Sequence, residues 1–277
     1  MAVRRMDVIE RGTGQPLLLV PGVQGRWEYM RPAVDALAEH FRVLTFSLAG
    51  ERTSGRACDR TRGFDDLADQ VETVLDTRGI PAALICGVSF GGLVALRFAA
   101  TRPRRTAALA LVSTPTPGWH LRRRHEFYAR LPWIFGPLFL AETPFRLRDE
   151  LKAAMPVAAD RRRFRREQLL TFLEAPVSAS RMATRARLIS QLDAAAQCQA
   201  VASPTLVLTG EPGLDHVING DGGSAYARLI DNARTTVLER TGHLGLVTRP
   251  QAFALTIKTF ADDVLAGGCA KTTHDAA

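Results

Sequence analysis

A serine, a histidine and an acid, far apart along the chain, are the residues best suited to chemistry. Ser89 lies in Ile85-Cys86-Gly87-Val88-Ser89-Phe90-Gly91-Gly92, with a glycine two places to either side. The apolar run before it predicts a strand and the periodic segment after it predicts a helix. That is the setting in which Gly-x-Ser-x-Gly holds a serine up at a sharp strand-to-helix turn. Such a turn strains the serine backbone and crowds the residues two places away, so Gly87 and Gly91 remove side chains that would clash. A serine hydroxyl is a weak nucleophile at neutral pH and needs a base within hydrogen-bond reach.

The chain has six histidines, and only His243 follows a late predicted strand, in Thr241-Gly242-His243-Leu244-Gly245-Leu246. Gly242 permits a tight turn there that points the imidazole across a sheet edge. His40, His125 and His274 read better as surface histidines. An acid that orients the imidazole belongs after an intermediate strand, in the chain order serine, acid, histidine. Thr209-Gly210-Glu211-Pro212-Gly213-Leu214-Asp215 offers two candidates. Asp215 is favoured because its loop is long enough to reach the histidine, and Glu211 is the alternative.

These positions require a sheet whose strands end at one edge. Short apolar runs at Pro16–Pro21, Phe41–Ser47, Ala82–Val88, Thr106–Ser113, Ser203–Gly210 and Thr235–Glu239 suit strands covered on both faces, as in a parallel sheet. Helical spacing fills Arg31–His40, Asp65–Thr77, Phe90–Thr101, Ser224–Ile230 and Pro250–Ala266, as in Leu67, Val71, Val74 and Leu75. Strand and helix in alternation mean an α/β fold. From Gly118 to Ala200 the rhythm stops. The segment reads as inserted helices, so the expected division is a core of residues 1–117 and 201–266, an insert at 118–200, and a frayed tail at 267–277.

The 277 residues are 46% hydrophobic and carry a net charge of +8, which excludes disorder as a description of the whole chain. Between Gly118 and Ala200 lie 14 Arg and one Lys against 8 acids, so nearly all the excess sits in the insert. No basic stripe runs along the whole protein, and no nucleic-acid partner is expected. Cys58, Cys86, Cys198 and Cys269 are scattered singly and read as free thiols in a reducing compartment. No apolar run reaches the ~20 residues of a membrane span, and the first ten residues lack an apolar signal core. A cytoplasmic protein without integral membrane contact is expected. No metal cluster has zinc spacing and no phosphate-cradling glycine loop is present, so neither metal nor cofactor is expected.

In these motifs and their order the chain resembles the α/β-hydrolase superfamily over nearly its whole length. Pro21-Gly22-Val23 stands where that family usually has a His-Gly pair. Gly242-His243 followed by Pro250 and Phe253 is similar to its histidine loop and last helix, and the insert lies where the family places its lid. The resemblance implies a mostly parallel twisted sheet with helices on both faces, and a catalytic triad of Ser89, Asp215 and His243. It also implies an oxyanion hole made by the backbone N–H groups of Val23 and Phe90. Two departures stand out: Pro21 replaces the usual histidine, and Ser47-Leu48-Ala49-Gly50 lacks the acidic residue common after the next strand.

The function expected is hydrolysis of a small carboxylic ester through an acyl-enzyme on Ser89. Cleavage of a diketone C–C bond, an amide or perhydrolysis on the same residues is a second reading, and a ligand-binding member of the fold without turnover is a third. Gln24, Trp119, Trp133, Phe135 and Phe139 are candidates to line the substrate pocket, against the plainer reading that the aromatics pack the inserted helices. The run Arg161-Arg162-Arg163-Phe164-Arg165-Arg166 reads first as a solvated helix face and second as an anion or membrane-surface site. The sequence carries no sign of oligomeric state.

Overall fold

A computed structural model describes residues 6–218 and 222–267, so Cys269, His274 and most of the expected frayed tail lie outside the described residues. Seven strands form one sheet: β1 (Val8–Arg11), β2 (Pro16–Val20), β3 (Arg42–Phe46), β4 (Ala83–Val88), β5 (Thr106–Val112), β6 (Thr205–Gly210) and β7 (Ala233–Leu238). Their spatial order is β1-β3-β2-β4-β5-β6-β7, with β1 antiparallel to β3 and every other pair parallel.

The apolar runs are continuous because alternate residues serve different faces. Leu18, Val20, Ile85, Leu109, Leu111 and Val207 point into one core, whereas Leu17, Leu19, Leu84, Cys86, Ala110 and Leu208 point into the other. Helices α1 (Arg31–Leu37), α2 (Phe64–Thr77) and α3 (Phe90–Thr101) fill the first half of the chain. The chain then places α4 (Arg123–Arg130), α5 (Pro132–Arg146), α6 (Arg148–Ala154), α7 (Ala158–Glu174), α8 (Ala179–Ile189) and α9 (Ala194–Gln199) between β5 and β6. It closes with α10 (Gly222–Leu229), α11 (Gly245–Thr248) and α12 (Pro250–Leu265). Residues of α2, α3 and α10 build the first core, and residues of α1, α11 and α12 build the second. Truncating any of these fully buried leucines to alanine costs about 2–5 kcal/mol.

β1 has no counterpart in the apolar-run reading. Its four residues, Val-Ile-Glu-Arg, are half-exposed at the sheet edge, where Glu10 pairs with Arg42 and Arg78. An edge strand buries too little to need an apolar run, and charge there discourages pairing with another chain.

Strand order places the site. The chain runs from β2 to its neighbour β3 and then crosses to β4 on the other side of β2. Loops leaving β2 and β4 therefore diverge and open a crevice at the carboxyl ends of the strands, which is where parallel sheets bind ligands. Among the described residues, no helix is long and apolar enough to cross a membrane.

Candidate active site

Ser89 follows β4 at that crevice and adopts φ 53° and ψ −121°. Side-chain-bearing residues avoid such a conformation at a cost of order 1–3 kcal/mol. The surroundings hold it in place. The Ser89 N–H donates to Val112 C=O at 2.8 Å, and β4 passes so close to α3 that a Cβ on Gly87 would lie 2.3 Å from Gly91 O. A Cβ on Gly91 would lie 2.3 Å from Pro21 O, so the start of α3 also presses on the loop after β2. The glycine spacing read from sequence is thus a packing requirement.

His243 enters from the turn after β7. Its Nε2 lies 3.1 Å from Ser89 Oγ and its Nδ1 lies 3.2 Å from Asp215 Oδ2. Asp215 ends the turn after β6, and its other oxygen accepts from the Val217 and Ile218 N–H groups, each at 2.9 Å. Burial by itself would raise the Asp215 carboxyl. The hydrogen bond and charge of His243, with the two amides, outweigh it and hold the carboxyl below the usual range. The two turns can approach because Gly242 has no Cβ; one would lie 2.3 Å from Leu214 O. Glu211, the alternative acid, faces elsewhere: its Oε1 accepts from the Arg240 N–H at 2.6 Å.

Phe90 begins α3, so its N–H has no acceptor within the helix. Val23 and Gln24 are the middle residues of a turn closed by Gly25 N–H on Gly22 C=O at 2.9 Å. The point a Cβ on Gly22 would occupy is 3.6 Å from Ser89 Cβ and 3.3 Å from Gln24 Oε1, which sets Gln24 beside the serine.

Trp133 is 73% exposed on α5, so it encloses nothing beside Ser89 in this arrangement. Phe135 stacks on Tyr128 at 5.4 Å between ring centres and meets Phe127 at 4.9 Å, which joins α5 to α4. Trp119 lines a small cavity with Leu93, Thr116, His120, Ile189 and Leu192, a lining that includes neither Ser89 nor His243. The Phe139 side chain lies outside what the structure describes. Along α7, Arg161 donates to the carbonyls of Met155 and Pro156, and Arg163 pairs with Glu167 on the exposed surface.

Sequence reasoning singled out no charged residue of the insert for the site, and the structure brings two against the turns that carry Val23 and His243. Arg185 of α8, buried, donates to the carbonyls of Val23 (3.1 Å), Gln24 (3.2 Å) and Ala49 (3.2 Å) and to Glu51 Oε1 (2.8 Å). Glu51, buried, lies one residue beyond Ser47-Leu48-Ala49-Gly50. Glu150 of α6 accepts from the Leu244 N–H at 2.7 Å. Nothing in their sequence neighbourhoods distinguishes these two from the charges on solvated helix faces.

Residues 15–250 match the sequence model of the family described as the alpha/beta hydrolase fold. The chain belongs to that family. Among curated proteins it is 32% identical over 131 residues to a relative from Azorhizobium caulinodans that carries the name carbamate hydrolase RutD. That match covers 46% of this chain and 48% of the relative, so it spans about half the length of that protein. Among solved structures, the enol-lactonase from Burkholderia xenovorans LB400 superposes with a TM-score of 0.75 at 23% identity, covering 92% of this chain and 96% of that one. A thermophilic esterase from Thermogutta terrifontis gives 0.73 at 22% identity, covering 93% of each chain. At such identities these two likenesses are of fold.

Proposed function

We propose that this α/β hydrolase is a serine hydrolase that cleaves a small carboxylic ester, with Ser89 as nucleophile, His243 as general base and Asp215 as the acid that orients it. The observation that carries the reading is the continuous chain from Ser89 Oγ through both imidazole nitrogens to Asp215, with contacts of 3.1 and 3.2 Å. His243 takes the serine proton as Oγ attacks the substrate carbonyl carbon. The anionic oxygen that forms is held by the Phe90 and Val23 N–H groups, an oxyanion hole in which one donor is worth roughly 3 kcal/mol. The Phe90 amide also sits at the positive end of α3. Asp215 favours the imidazolium, which then gives its proton to the departing alcohol. Water, activated by the same imidazole, hydrolyses the acyl-enzyme. The helices α4–α9 serve as a lid over this crevice, with Gln24 beside the serine as a substrate contact.

The reading is tested with a fluorophosphonate probe and a short p-nitrophenyl ester. Wild type is expected to label and turn over, and Ser89→Ala to do neither. Equal labelling of the two would overturn the assignment. Carbamate, lactone, amide and diketone panels then rank the bond types that share this chemistry, and absence of turnover on every panel returns the ligand-binding reading.

A further inference from the structure

We propose that Glu150, carried by the inserted helix α6, is a positioning residue for His243, so that docking of the insert and alignment of the catalytic base are one event. The proposal rests on the serine-hydrolase reading above and adds a group to it that lies outside the three reacting side chains.

Glu150 has no exposed surface, a costly place for a carboxyl unless its oxygens are partnered. Burial raises its pKa, and the Gly242 and Leu244 amides, with the charge of His243, pull the other way. The amides are those of the two residues that flank His243 in sequence. A carboxyl oxygen that accepts from the Leu244 N–H at 2.7 Å fixes the backbone on which the imidazole rides, and through it the 3.1 Å approach to Ser89 Oγ. The second oxygen, Oε2, is buried without a hydrogen-bond partner, so the residue is placed for the loop amide and not to satisfy a network of its own. The tie is reciprocal. Arg240, three residues before His243, donates to the Ala153 and Ala154 carbonyls at the end of α6 at 3.1 and 3.3 Å. Helix and loop thus hold each other by one group in each direction.

A residue needed only for folding would alter stability and leave the chemistry of the folded fraction intact. Misplacing a catalytic group by about 1 Å costs up to about 100-fold, and it does so in kcat. Glu150→Met keeps the volume and removes the acceptor; Glu150→Gln keeps the Oε1 acceptor and removes the charge. On p-nitrophenyl ester, the Met variant is expected to lose about 10- to 100-fold in kcat with KM within about twofold, and to label more slowly with fluorophosphonate. The Gln variant should recover kcat to within about fivefold of wild type, on the same scale of displacement. A folded Met variant with wild-type kcat overturns the proposal, and so does a Gln variant as impaired as Met. If the Met variant does not fold, Glu150→Asp carries the test: it keeps the charge and shortens the arm, so kcat should fall at constant KM, and a wild-type kcat overturns the proposal. Wild type that fails to label overturns the serine-hydrolase reading itself. Wild type and Met variant labelling at equal rates overturns only the role of Glu150.

Discussion

The turn after β4 and the inserted helices approach the same serine from different sides and are held in different ways. Around Ser89 the fixing is done by backbone: a strained φ, a ladder-like bond to Val112 and glycines that let α3 rest on the chain after β2. The insert contributes no strand and exposes Trp133, Ile134, Leu138 and Phe145 along α5. It reaches the site through two buried charges, Glu150 on the histidine turn and Arg185 on the turn after β2. Backbone packing is insensitive to most side-chain changes, whereas a buried ionic contact is lost with one atom. The insert should therefore be tolerant on its exposed faces and intolerant at those two charges and at its core residues Leu151, Phe164, Leu188 and Cys198.

The largest effect that can break this contrast is at the site itself. His243→Ala is expected to lower kcat by about 10³-fold or more while the thermal midpoint stays near that of wild type; turnover at wild-type rate would remove the base from the mechanism. Next comes Arg185→Met, which leaves Glu51 buried with only Arg181 and strips two carbonyl contacts from the Val23–Gln24 turn. Removing one partner of a buried pair costs about 3 kcal/mol or more. Denaturant midpoints should fall accordingly, and adding Glu51→Gln should restore part of the loss. If Arg185→Met is neutral, the contact is not the anchor described here.

A smaller effect depends on pH. The Asp215 carboxyl titrates below its ordinary value in the folded protein. The stability its ionised form adds is then fully present above the unfolded pKa of about 3.9 and lost as pH falls through the folded one. Asp215→Asn should flatten the fall in unfolding free energy between about pH 5 and pH 2 relative to wild type. The smallest effect is expected at Trp133→Ala on the insert surface, within about 0.5 kcal/mol in stability and without change in KM for short esters. A large rise in KM there would mean that Trp133 folds over the crevice when substrate binds.

Much of this was readable along the chain. The runs that became β2 to β6 are legible because strands covered on both faces leave few positions for polar residues. The sharp turn at Ser89 is legible because only glycine fits two places away. The histidine and the acid could be ordered by position alone. Loop length favours Asp215 over Glu211, and the fold shows the turn after β6 aiming Asp215 at His243 and Glu211 at the Arg240 amide. The four residues of β1 carry no apolar run, since an edge strand needs none. Phe135 reads equally well as pocket or as packing, and only the fold shows it stacked on Tyr128.

Sequence alone thus determined the alternation of strand and helix and the sharp turn at Ser89, because each depends on neighbours a few residues away. Burial of Glu150 and Arg185 against turns about 90 and 160 residues distant was decided by tertiary structure only. Charge on a helix reads the same whether it faces water or a catalytic loop, and only the fold brings the partner that makes the difference.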